Sequence, residues 1–193
     1  PSYLAWERYA WPRALGWFAQ GVGAARTGDV AAAREAEQRM AEIKRGAREK
    51  GEEGFVTEIE IDRLVLAGWI AHAEGDPSSA VEQMRAAAEM STTIEKNPVS
   101  PGALLPPYES LGDLLMKIDR PGEAQEAYEA SMDIWPRRYR SLLGAARAAQ
   151  EAGDREASRE HYEALLEVVQ GAGSDRPGVR EAKETLRASA MTP

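Results

Sequence analysis

The sequence predicts an all-α fold, a superhelix of four helical hairpins with capping helices at its ends, forming one domain over residues 1–193. Three observations predict it. Long stretches combine Ala, Glu, Arg and Leu, which are strong helix formers. Short amphipathic helical patterns alternate with Gly, Asp and Pro turns. Small residues return at fixed distances from those turns. No convincing run of alternating β-branched residues competes with this reading; the nearest, Phe55 to Ile61, continues into a helical pattern.

The elements follow in order. Residues 1–11 are aromatic-rich, with Tyr3, Trp6, Tyr9 and Trp11, and read as an N-terminal cap on the first hairpin or the tail of a preceding helix. Pro12 suits the first position of a helix, where its missing N–H costs nothing, and that helix stops at Gly28-Asp29. A second helix runs from about Val30 to Lys50 and ends at Gly51. The next pair covers about Phe55 to Glu74 and Ser78 to Glu95, with Gly75-Asp76-Pro77 as its turn. Prolines 98, 101, 106 and 107 make a loop of residues 96–107. The third pair turns at Asp119-Arg120-Pro121 and ends at Trp135-Pro136. The fourth runs from about Arg137, turns at Gly153-Asp154 and continues to Val169. After a loop at Gly171 to Pro177, residues 178–188 read as a capping helix.

Alignment of the turns exposes a repeat. Gly28, Gly75, Asp119 and Gly153 are equivalent; upstream stand Gly21, Gly68, Gly112 and Ala146, and downstream Ala33, Ala80, Ala124 and Ser158. A larger side chain at a helix crossing would push the helices apart. The units become 14–47, 61–94, 105–138 and 139–172. Each hairpin has an apolar face that it cannot bury alone, so copies must shelter one another.

This pattern resembles the tetratricopeptide repeat. Unit three carries Tyr108, Leu111, Gly112, Tyr128 and Pro136 at signature places; unit four keeps Leu142, Ala146 and Tyr162; the first two units match more loosely. The resemblance implies a concave groove lined by the first helix of each hairpin. Carried over, its groove residues are Phe18, Val22, Val65, Trp69, His72, Asp113, Lys117, Arg140 and Arg147. Such a surface would be apolar, then acidic, then basic, and would suit an extended peptide or a partner protein. Phe18 and Val22 stand where the chaperone-tail clamp of the family needs Lys and Asn, so that ligand is not expected.

The expected function is therefore a protein-interaction scaffold, with self-association within a larger protein and small-molecule sensing through Trp6, Trp11, Trp17 and Trp69 as alternatives. The net charge of −8 argues against nucleic acid and against an anionic membrane surface as partners. With no cysteine, thiolate metal sites and cysteine catalysis are excluded. The two histidines, His72 and His161, are far apart in sequence, so no metal site is expected. His161 reads as exposed, and Arg137, Arg138, Arg140 and Arg147 as a solvated basic face or an anion seat. No phosphate loop or nucleophile elbow appears, so neither an enzyme nor a bound cofactor is expected. The sequence leaves the compartment open, with a weak lean to the cytoplasm; lacking an initial Met, it reads as a processed chain or a piece of a longer one.

Overall fold

The computed structural model describes residues 9–94, 103–170 and 175–190. These residues form α-helices α1 (Ala10–Thr27), α2 (Val30–Glu49), α3 (Glu53–Ala73), α4 (Pro77–Ser91), α5 (Pro107–Lys117), α6 (Pro121–Ile134), α7 (Tyr139–Ala152), α8 (Arg155–Val168) and α9 (Pro177–Ala190). No described residue lies in a strand. The stretch from Phe55 to Ile61 lies within α3. The aromatic segment before Tyr9 and most of the loop before α5 lie outside the described residues. The chain divides into two compact units, one over 1–107 and one over 108–193.

The turns show why the helices begin and end where they do. Gly28, Gly75 and Gly153 have φ of 87°, 83° and 85°, the left-handed conformation that glycine adopts without a side-chain penalty. The next amide bonds back into the finished helix: Asp29 N to Ala24 O, Asp76 N to Ala71 O and Asp154 N to Ala149 O, each 2.9 Å. The same aspartates then cap the next helix, accepting from the amides of Ala32, Ser79 and Ala157 at 3.0 Å. One Gly-Asp dipeptide thus closes one helix and opens the other. At the equivalent turn of the third hairpin, Asp119 takes the left-handed place with φ 59°. Arg120 replaces the capping aspartate and makes no side-chain cap bond; Pro121 opens α6.

In the first unit, α1 pairs with α2 and α3 with α4, while α3 also packs on α1 and α2. With three helical neighbours, α3 is buried on most of its circumference, and its sequence is apolar nearly all round. The small residues sit at crossings. A Cβ on Gly21 would lie 2.7 Å from Leu66 and 2.9 Å from Ala36; one on Gly68 would lie 2.7 Å from Met84. Ala33 and Ala80, after the turns, are fully buried.

In the second unit the Tyr128 ring occupies the space left by two glycines, Gly112 of α5 and Gly144 of α7. Its hydroxyl donates to Asp113 Oδ1 at 2.8 Å. Below it a core of Leu142, Ala146, Tyr162, Leu165, Val179 and Ala182 joins α7, α8 and α9. The close approach of α9 is set by Gly178, whose missing Cβ leaves room for Leu143 and the Tyr139 hydroxyl. The outer face of α9 carries exposed Arg180, Lys183, Glu184 and Arg187, the polar face that ends a stack of repeats.

Candidate partner-binding surface

The residues carried over from the family resemblance fall into two groups. In the first unit, Phe18, Val22, Val65 and Trp69 are all buried, Trp69 to 1% exposure. They pack α1 against α3 and offer no surface on which a ligand could rest. This stripe is interior because α3 is flanked by three helices. His72 lies at the edge of this stripe, half-buried, with its ring edge-on to Trp69 at 6.0 Å between centroids. The Arg26 guanidinium covers the Trp69 ring at 4.2 Å. Among the described residues, the buried Trp69 Nε1, Trp11 Nε1 and Glu52 Oε2 atoms meet no hydrogen-bond partner.

In the second unit the predicted residues are accessible and charged. Asp113 is half-buried, whereas Lys117, Arg140 and Arg147 are exposed. Most of them are already engaged. Arg140 Nη2 donates to Asp113 Oδ2 at 2.8 Å, and its Nε lies 3.2 Å from Glu109 Oε1. Arg138 reaches the same Glu109 carboxylate at 3.2 Å, and the Ser141 hydroxyl donates to it at 2.8 Å. Glu109 is only 1% exposed. A carboxylate so deep needs several donors, and it has them. Further along, Arg147 grips Glu181 of α9 with two bonds of 2.7 and 2.5 Å. The Tyr162 hydroxyl donates to the same carboxylate at 2.7 Å. The Arg147 bond, outweighing burial, and the Tyr162 bond hold Glu181 below the usual carboxylate range.

The basic face expected at Arg137, Arg138, Arg140 and Arg147 is therefore a set of ion pairs: Arg138, Arg140 and Arg147 join successive first helices through Glu109, Asp113 and Glu181, and Arg137 meets Glu167 of α8. His161, expected to be exposed, is partly buried, with Nε2 3.0 Å from Glu129 Oε1. Sequence reasoning missed Glu181. The signal for Glu181 was present: it stands 34 residues after Arg147, one repeat on, so opposite charges face each other on adjacent helices.

With this geometry in hand, comparison with known proteins bears on the fold. The crystal structure of MamA protein superposes with a TM-score of 0.50 at 15% identity, covering 84% of this chain and 96% of that one. A second MamA structure, AMB-1, gives 0.46 at 16% identity, covering 84% and 95%. MamA is a helical protein of tetratricopeptide-like architecture, and the chain is likewise all-α, built from helical hairpins of that kind. No protein-family model matches the chain, and no curated protein matches it. Among the described residues, no helix is long and apolar enough to cross a membrane, and no group of three His, Asp or Glu side chains is placed to hold a metal ion.

Proposed function

We propose that the chain is a tetratricopeptide-type interaction scaffold, not an enzyme, which binds a protein or peptide on the faces of its first helices. In the first unit His72 would meet the partner at the rim, above the buried floor of Phe18, Val22, Val65 and Trp69. In the second unit Asp113, Lys117, Arg140 and Arg147 would supply charged contacts. The observation that carries the reading is the register of these charges. Asp113, Arg147 and Glu181 occupy the matching position of α5, α7 and α9, so a partner lying across those helices meets alternating charge at regular steps. Arg147 keeps 47% of its side chain in solvent despite its pair with Glu181. Exposed pairs of this kind contribute only about 0–1 kcal/mol, so a partner's carboxylates can take over one of their members. The recurrent fold and its buried apolar core agree with a rigid presenting surface.

The test is affinity capture of a partner by the wild-type chain and by a Lys117→Glu/Arg147→Glu variant, with circular dichroism confirming the fold of both. A loss of recovery of tenfold or more is expected. Recovery of the same partner at the same yield would count against this face.

A further inference from the structure

A cavity of about 310 Å³ opens where the start of α1 lies beside the end of α2. It lies on the flank of α2 away from α3. Arg34, Glu37 and Lys44 of α2 reach α3 side chains, whereas the cavity takes Arg39, Gly46 and Lys50 from the opposite side of the same helix. Its apolar part is Ile43, which is buried, and Trp17, which is half-buried. Gly46 leaves it open: a Cβ there would meet nothing within 4 Å. Three cations line it, Arg13, Arg39 and Lys50, against one carboxylate, Glu42. Glu42 is spent on Arg39 at 3.2 Å. Neither Arg13 nor Lys50 has an ion-pair partner among the described residues. In a chain of net charge −8, this is a local excess of positive charge beside an aromatic wall.

The start of α1 adds to that excess. Its N-cap residue, Tyr9, makes no side-chain cap bond, and no acidic residue stands in its first turn. The positive end of the α1 dipole lies beside the cavity. The volume lies at the small end of those that hold organic ligands, and such sites combine an apolar wall with a few convergent polar groups.

We propose that this cavity binds a small organic carboxylate with an aromatic or short aliphatic body. The body rests on Trp17 and over Gly46, and the carboxylate lies between Arg13 and Lys50. The site is separate from the first-helix faces of the preceding section, and each stands or falls without the other.

The experiment titrates the full chain with 4-phenylbutyrate, followed by calorimetry and by amide and indole NMR shifts. The control is 4-phenylbutylamine, of the same shape and opposite charge. Two variants accompany it. Gly46→Leu places a side chain in the cavity at a position with free space, and Arg13→Glu/Lys50→Glu reverses the two unpaired cations. Saturable binding of the carboxylate alone is expected, with shifts at Gly46 and the Trp17 indole and a Kd at least tenfold weaker in both variants. Absence of saturable binding, equal binding of the amine, or an unchanged Kd in Gly46→Leu would overturn the proposal.

Discussion

The residue after the small crossing residue shows how the two units use one repeat differently. It is Val22 and Trp69 in the first unit, and Asp113 and Arg147 in the second. In the first unit these side chains are buried and hold α1 against α3 by apolar contact. In the second they are ionic and hold α5 to α7, and α7 to α9, by pairs at the surface. The first unit places its charges elsewhere. Glu74, Arg34, Glu37, Arg63, Glu60 and Lys44 form a chain of pairs between α2 and α3, the second helix of one hairpin and the first of the next. The same backbone geometry thus accepts a greasy or a charged joint between first helices, and the remaining seams compensate.

The sharpest way to break this comparison is to truncate both versions of the position. Trp69→Ala removes a fully buried aromatic side chain and should cost about 3–5 kcal/mol. Arg147→Ala, one position equivalent in the second unit, should cost about 0–1 kcal/mol because the pair is half-exposed. Urea unfolding followed by circular dichroism measures both. Equal losses would refute the distinction between the two joints. The large cost expected for Trp69→Ala also makes it a poor probe of binding, since a failure to capture a partner would report unfolding.

Two acids on α3 sharpen the comparison through pH, because they shift in opposite directions. Burial, with the nearby Glu58 charge, pushes Asp62 up to about 7. It is 6% exposed, and no hydrogen bond or ion pair reaches it among the described residues. Its folded pKa exceeds its unfolded value of 3.8. The folded state therefore holds the proton more tightly, and stability falls as pH rises from about 4 to 7, then levels off. Each pKa unit is worth about 1.4 kcal/mol, so Asp62→Asn should stabilise the chain at pH 8 by roughly 2 kcal/mol, allowing for the buried amide. Glu60 behaves inversely. Burial alone would raise it, but hydrogen bonds from Arg63 and Lys44 outweigh that and hold it at about 2. Its contribution is complete above 4.5 and disappears as pH falls toward 2. Glu60→Gln should cost roughly 1 kcal/mol at neutral pH and little at pH 2. Thermal melts across pH should then peak near pH 4–5 for the wild type. In Asp62→Asn the decline on the neutral side should vanish; its persistence would show that Asp62 is not the source.

What was legible in the sequence is what local chain geometry dictates. Gly28, Gly75 and Gly153 mark turns because φ is positive there, and Asp29, Asp76 and Asp154 mark caps because they bond three residues on. Gly21, Gly68 and Gly112 mark crossings because any side chain would collide. The turn and cap signals lie within one hairpin, and each crossing glycine also touches the partner helix of its own hairpin. The candidate surface was less legible, because its state depends on helices one repeat away. Nothing near Arg140 in sequence announces Glu109 or Asp113, and Trp69 looks the same on paper whether it faces solvent or α1. The 34-residue step from Arg147 to Glu181 did carry such information, but it required treating α9 as in register with the repeats.

The smallest expected effect tests the turns, where the second unit again departs from the first. Asp119 holds the left-handed place that glycine holds at the other three turns. A side chain there costs free energy that glycine avoids, although aspartate bears this conformation better than most residues. Asp119→Gly removes the strain but adds conformational freedom to the unfolded chain, which offsets part of the gain. The net expectation is a stabilisation of about 0.5 kcal/mol, a rise of one or two degrees in Tm. The reciprocal change, Gly153→Asp, puts the same strain into the turn between α7 and α8 and should lower Tm by a similar amount. If Asp119→Gly lowers Tm instead, the aspartate side chain stabilises its turn by more than its backbone strain costs, and the third turn is then a distinct solution to the same geometry.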